Sequence, residues 1–137
     1  MKLDLFINFD GNCKQALEFY SAVFKTEVQG LMTYGDAPAE QGYKLRDEDK
    51  GRVMYSTIAI GNNSIMFCDG PAGMPVIEGN NITLTLVGQD KDELRRVFDA
   101  LKDGGEVGME LCQTFWSEMF GMVTDKFGIS WQISHGA

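Results

Sequence analysis

"NCKQALEFYSAVF" (residues 12–24) and "DKDELRRVFDALK" (residues 90–102) are two helical stretches with the same apolar pattern. In the first, Leu17, Tyr20 and Phe24 recur at helical spacing, with Ala16 beside them. In the second, Leu94, Val97 and Leu101 do the same, joined by Phe98. Leu17 and Leu94, Tyr20 and Val97, and Phe24 and Leu101 are each 77 positions apart. Asn12 with Gln15, and Asp90 with Glu93, have the spacing of a capping box, and Gly104-Gly105 supplies a stop. A strand-like segment precedes each helix: "KLDLFINF" (2–9) and "NITLTLV" (81–87).

Three further strand-like segments follow each helix. After the first come "EVQGLMTY" (27–34), "RVMYSTIAI" (52–60) and "SIMFCD" (64–69), with "GNN" (61–63) as a hairpin turn. After the second come "EVGMELCQTFW" (106–116), "EMFGMVTD" (118–125) and "ISWQIS" (129–134). The chain thus reads βαβββ twice, an α+β architecture in one domain. Module 1 spans about 1–69, a Pro- and Gly-rich connector spans 70–79, and module 2 spans about 80–137. Two such modules are expected to form curved mixed sheets around a cleft, with the helices on the outer faces. The polar stretch 35–51 reads as a loop rather than a lid, and "RDEDK" (46–50) as its solvated part.

The bulk numbers remove several classes of function. The chain has 137 residues, 44% hydrophobic and 23% charged, enough to bury a core. Its formal charge of −8 offers no basic face to displace phosphate counterions, so nucleic acid is not an expected partner. No apolar run approaches the roughly eighteen residues of a membrane helix, so no membrane partner is expected. "MKLDLFINFD" alternates apolar and polar residues and does not read as a signal peptide, which points to the cytoplasm. Cys13, Cys68 and Cys112 are odd in number and widely spaced, which fits reduced thiols better than a disulfide framework or a zinc site.

The paired modules, with "FDGNCKQALEFYSAVF" (9–24), "GNNSIMFCDG" (61–70) and "TFWSEMFGMVTDKFGISWQI" (114–133), resemble the vicinal oxygen chelate superfamily over essentially the whole chain. That superfamily includes glyoxalase I, extradiol dioxygenases and the bleomycin and fosfomycin resistance proteins. The likeness is nearest to its PhnB-like group, often labelled 3-demethylubiquinone 3-methyltransferase. Methyl transfer is not expected, because no glycine-rich strand-to-helix loop is present to hold a nucleotide-like cofactor. No cofactor is expected.

The resemblance implies four metal-ligand positions on inward-facing strands, two per module. They fall on Leu5 (or, with the register moved by one, Asp4 or Phe6), Met66, Asn81 and Gln132. Leucine and phenylalanine cannot coordinate, methionine is a soft donor, and two neutral carbonyls do not hold a transition ion against water. The only histidine, His135, is close to the end of the chain and reads as solvated. No metal is expected, and Gln132 becomes a hydrogen-bonding group facing the cleft.

Strand alternation then assigns faces. Ile82, Leu84, Leu86, Trp131, Ile133, Ile65 and Phe67 are expected to face the helices. Asn81, Thr83, Thr85, Ser130, Gln132, Ser134, Ser64, Met66 and Cys68 are expected to face the cleft. The candidate ligand-binding residues are Tyr55, Met66, Cys68, Asn81, Thr83, Trp116 and Gln132, with no catalytic residue assigned. Cys68 reads as a small buried hydrophobe, Asp125 as a turn residue, and Glu118 as a carboxylate of the site rim or a hairpin residue. These residues suit a homodimeric, metal-free protein that binds a small molecule. The alternatives are a metal-dependent isomerase, lyase or dioxygenase-type enzyme, and a structural or regulatory dimer whose cleft is vestigial.

Overall fold

The structure, a computed structural model, describes residues 1–38 and 45–136. The chain divides into two compact units, Met1–Ile77 and Glu78–Ala137. The first holds β1 (Leu5–Phe9), α1 (Cys13–Phe24), β2 (Val28–Thr33), β3 (Val53–Ile60) and β4 (Asn63–Asp69). The second holds β5 (Thr83–Gly88), α2 (Lys91–Lys102), β6 (Glu106–Cys112), β7 (Phe120–Thr124) and β8 (Ser130–His135). Strand orders are β1-β4-β3-β2 and β5-β8-β7-β6. In each sheet the first and last strands pair in parallel and the other pairs are antiparallel. This is the expected tandem βαβββ fold of the α+β class.

Each helix lies on one face of its own sheet and leaves the other face free of helix. α1 packs on β3 and β4, and α2 on β6, β7 and β8. Ala16, Leu17, Tyr20 and Val23 are buried along with Ile58 and Phe67, and Tyr20 stacks on Phe67 at 5.4 Å. In the second unit Leu94, Val97, Phe98 and Leu101 are buried with Val123, Trp131 and Ile133. Each fully buried Phe, Leu, Ile or Val contributes about 1.5–3 kcal/mol, so these clusters dominate the stability of each module.

The two helices begin and end 78 positions apart, Cys13 to Lys91 and Phe24 to Lys102, not the expected 77. The buried stripe of α1 therefore runs through Cys13, Ala16, Leu17, Tyr20 and Val23, and Phe24 moves to the partly exposed rim. Asn12 does not cap α1. Its φ of −107° and ψ of 18° are not the extended geometry of a capping residue, and its side chain caps nothing. Instead the buried Asp69, at the end of β4, accepts the Gly11 and Cys13 amides on Oδ1 at 2.8 and 3.0 Å. α2 follows expectation at this end: the Asp90 carboxylate accepts the amides of Asp92 and Glu93. Glu93, rather than completing the box, forks onto Arg96 at 2.6 and 2.8 Å.

Other expectations shift at the strand ends. β5 begins only at Thr83, which leaves Ile82 ahead of the strand and 72% exposed rather than packed toward the helix. β6 stops at Cys112, not 116, because the Thr114 amide bonds the Ser117 carbonyl and the Ser117 amide bonds the Thr114 hydroxyl, closing a turn. "RDEDK" is not simply solvated. Asp47–Asp49 form a 3-10 turn, and Asp49 is buried, accepting the Ala72 amide at 2.7 Å and Arg46 Nε at 3.1 Å. Residues 39–44 of the 35–51 loop lie outside the described residues.

Candidate functional site

Strand pairing sets which side chains share the helix-free face of each sheet, because residues directly opposite one another point the same way. In the first unit Phe6 pairs with Met66, and Asn8 with Cys68. Thr57 pairs with Met66 from the other side, and Tyr55 is two residues from Thr57 on the same strand. Leu5 pairs with Ile65, so it takes the helix side, and Phe6 is the β1 residue beside Met66. Asp4 precedes β1 and its carboxylate meets Lys2 at 2.9 Å.

These residues touch one another in pairs. The Cys68 thiol donates to Asn8 Oδ1 at 3.0 Å, and the Thr57 hydroxyl donates to the Tyr55 oxygen at 3.0 Å. The Phe6 and Tyr55 rings meet edge to face at 6.2 Å. Gly30, at φ 63°, lies under the Tyr55 ring, where a Cβ would sit 3.4 Å from it. Burial pushes the Cys68 thiol up from its ordinary pKa, and the Asp69 charge adds to this. Cys13, behind the sheet, is pushed up to about 12 by burial, then by Asp69 and Cys68, against a lowering hydrogen bond to Ser56. Both thiols stay protonated and poorly nucleophilic at neutral pH.

In the second unit Thr83 and Thr85 stand opposite Ser130 and Gln132, and Met122 and Thr124 line up beside them on β7. The Thr85 hydroxyl donates to Gln132 Oε1 at 3.3 Å, so that side-chain carbonyl is already engaged. Asn81 is exposed and lies two residues before β5. Trp116, 55% exposed on the β6–β7 loop, contacts Phe115 at 4.7 Å and Phe120 at 5.3 Å, both edge to face. Among the candidates, Tyr55, Met66 and Cys68 come together on one face, as do Thr83 and Gln132 on the other sheet. Asn81 and Trp116 belong to the segments flanking that second sheet.

Three ionisable residues have structural duties. Asp125 accepts the amides of Phe127 and Ile129 on Oδ1 and the Trp131 indole N–H on Oδ2, at 2.8, 3.1 and 2.9 Å. It is a turn residue that also holds the core tryptophan. Glu118 pairs with Lys91, which lowers its pKa, and its carboxylate lies 3.9 Å from His135 Nδ1. His135 is not merely solvated: it pairs with Gly88 at the end of β8 and its Nε2 is 3.0 Å from the Gln89 carbonyl.

The donor set does not suit a hard divalent ion. At the implied ligand positions stand an aromatic ring, a thioether, an amide ahead of its strand and a carbonyl bonded to Thr85. Among the described residues, no three His, Cys, Asp or Glu side chains are grouped to hold a metal. Sequence reasoning missed Asn8, Thr57 and Asp69, and left Phe6 as one of three residues open for the first-strand position. Phe6, Asn8 and Thr57 were visible as strand alternation but needed the pairing of β1 and β3 with β4, and Asp69 showed no sign beyond an Asp-Gly at a strand end.

A family model described as 3-demethylubiquinone-9 3-methyltransferase matches residues 1–134. Protein YjdN of Escherichia coli K12 is 30% identical over 141 residues, covering 98% of this chain and 95% of that protein. The crystal structure of protein PA1353 from Pseudomonas aeruginosa is similar with a TM-score of 0.86 at 28% identity, over 98% of this chain and 97% of that one. The fosfomycin resistance protein FosX of Listeria monocytogenes shares the fold, with a TM-score of 0.65 at 13% identity over 100% and 94% of the two chains.

Proposed function

Because the chain belongs to the 3-demethylubiquinone-9 3-methyltransferase family, a PhnB-like branch of the vicinal oxygen chelate fold, we propose that it is a metal-free small-molecule-binding protein. Its ligand contacts are on the helix-free sheet faces, with Tyr55, Met66 and Cys68 in module 1 and Thr83 and Gln132 in module 2, and on the segments flanking the second sheet, with Asn81 and Trp116. The observation that carries this reading is the make-up of the module 1 face. Apolar Phe6, Met66 and Tyr55 surround a few neutral polar groups, the usual composition of a surface that orients a small molecule. Acid–base or nucleophilic chemistry has little to work with there, since Cys68 is held as a thiol and, among the described residues of β1, β3 and β4, no histidine or carboxylate shares the face.

The reading is tested with protein purified without added metal. Thermal denaturation against a panel of hydrophobic and cationic small molecules is expected to show saturable stabilisation by some, and Met66→Ala to abolish it. Stoichiometric zinc, nickel or manganese in that preparation would instead favour a metal-dependent isomerase, lyase or dioxygenase. A panel in which no compound stabilises the protein would favour the vestigial, structural role.

No helix among the described residues is long and apolar enough to cross a membrane. The three free thiols support residence in the reducing cytoplasm. A homodimer is proposed from the exposed apolar residues of β1 and β2 outside the ligand face, namely Leu5 and Leu31. Light scattering is expected to give twice the chain mass, and a monomer at high concentration would refute it.

A further inference from the structure

The two polar pairs on the module 1 face use up acceptors and leave donors. Asn8 Oδ1 is taken by the Cys68 thiol and the Tyr55 oxygen by the Thr57 hydroxyl. The Asn8 side-chain N–H groups and the Tyr55 O–H have no partner among the described residues. Around them, Phe6 is 41% and Tyr55 39% exposed, and Met66 is half-buried.

Among the described strand residues of this face, Phe6, Asn8, Tyr55, Thr57, Met66 and Cys68, none is charged, and the carboxylates that flank β1, Asp4 and Asp10, are paired with Lys2 and Arg52. The nearest acid in sequence, Asp69, is buried with both oxygens taken by the amides of Gly11, Cys13 and Val53. Arg52 is held by Asp10 and the Gly70 carbonyl, at 2.6 and 2.7 Å. A cationic ligand would lose water here without meeting an unpaired carboxylate, and an anionic one without meeting an unpaired guanidinium. The chain's net charge of −8 therefore says nothing about what this face prefers.

We propose that the ligand of this face is a planar, uncharged aromatic molecule bearing acceptor oxygens, carbonyl oxygens foremost. Its ring lies against Phe6, Met66 and Tyr55, and its oxygens take the free hydrogens of Asn8 and Tyr55. This rests on the small-molecule-binding reading and adds the ligand class to it.

Three planar bicyclic probes test it: coumarin (neutral, with a lactone carbonyl), naphthalene (neutral, no acceptor) and N-methylquinolinium (cationic). Binding is read from the carbon-13 methyl signal of Met66, assigned with Met66→Leu, in labelled full-length protein. Coumarin is expected to move that signal and to bind ~5-fold tighter than naphthalene, the equivalent of one net hydrogen bond. N-methylquinolinium is expected to bind weakest. Tyr55→Phe and Asn8→Ala, checked for native circular dichroism, are each expected to weaken coumarin ~5-fold and leave naphthalene unchanged. Tightest binding by N-methylquinolinium at Met66 overturns the ligand class while the binding reading stands. Coumarin affinity unmoved by both variants overturns the donor assignment. Silence at Met66 from all three probes overturns the proposal, and the thermal panel then decides separately whether any small molecule is bound.

Discussion

Helix α1 takes its N-terminal cap from Asp69, 56 residues away from the Cys13 amide it accepts, whereas α2 takes its cap from Asp90, immediately before its first turn. The C-termini differ as well. α1 ends on Lys25 in the left-handed region at φ 50°, while beyond α2 the left-handed residue is Gly104 at φ 74°. The same frame of elements is thus held by local chemistry in the second module and by a buried strand residue in the first. Asp69 Oδ2 also accepts the Val53 amide at 2.9 Å, and its carbonyl takes the Tyr34 hydroxyl at 2.9 Å. One carboxylate therefore ties α1 and its approach to β3 and β4, and the Asp69 main chain ties in the residue after β2. A helix capped by its own sequence can form before its sheet does, but one capped by Asp69 gains that stabilisation only when β4 is in place.

The largest expected effect follows from this contrast. Asp69→Ala leaves the buried Cys13 and Val53 amides without acceptors and is expected to cost about 3–4 kcal/mol in urea denaturation. Asp90→Ala, which strips an exposed cap, is expected to cost about 1 kcal/mol. Equal costs would break the comparison. Next comes Asp125→Ala, which orphans the Trp131 indole N–H and two turn amides of module 2; about 2–3 kcal/mol is expected, with the change visible in Trp131 fluorescence. A loss below about 1 kcal/mol there would mean that water replaces the carboxylate and that long-range anchoring belongs to module 1 alone.

At the helix C-termini the expected signs are opposite. Lys25→Gly relieves a left-handed side-chain residue and is expected to stabilise by up to about 1 kcal/mol, whereas Gly104→Ala imposes that strain and destabilises by about the same or more. Stabilisation by Gly104→Ala would remove this half of the contrast. The smallest effect is on the acid side. The Ala72 amide, then Arg46, hold the Asp49 carboxyl below its ordinary pKa of 3.8. A lowered folded-state pKa gives stability that is present above the ordinary value and is lost as pH falls through the folded one. Asp49→Asn is therefore expected to flatten the fall in urea midpoint below about pH 4. Asp36 and Asp47 are lowered too, by the Thr33 amide and by Lys50, so most of the acid sensitivity is expected in module 1. An unchanged acid limb in the variant would place it elsewhere.

Much of the fold was legible along the chain. Two apolar stripes of period 3.6 marked the helices, and alternation correctly sorted Trp131 and Ile133 from Gln132, and Ile65 and Phe67 from Met66 and Cys68. The candidate faces were legible to the same extent, because alternation is a property of one strand. What alternation lacks is a reference between strands. The residue beside Met66 was open between Leu5, Asp4 and Phe6 until pairing with β4 assigned it to Phe6. With Phe6 come Asn8 and the thiol bond that gives the face its donor character.

Caps and ends were the other misreadings, and they share a cause. Asn12 has the residue type and spacing of a cap, yet a better acceptor arrives from β4 once the sheet is formed. Asp49 sits in a run of charge that looks solvated, yet Ala72 and Arg46 close over it. Periodicity and turn chemistry act over a few residues, so the sequence by itself determined the order of elements, the duplication and the two-sidedness of each strand. Register, the source of each cap and the partners of each buried carboxylate depend on groups brought together from distant positions, and only the tertiary structure decided those.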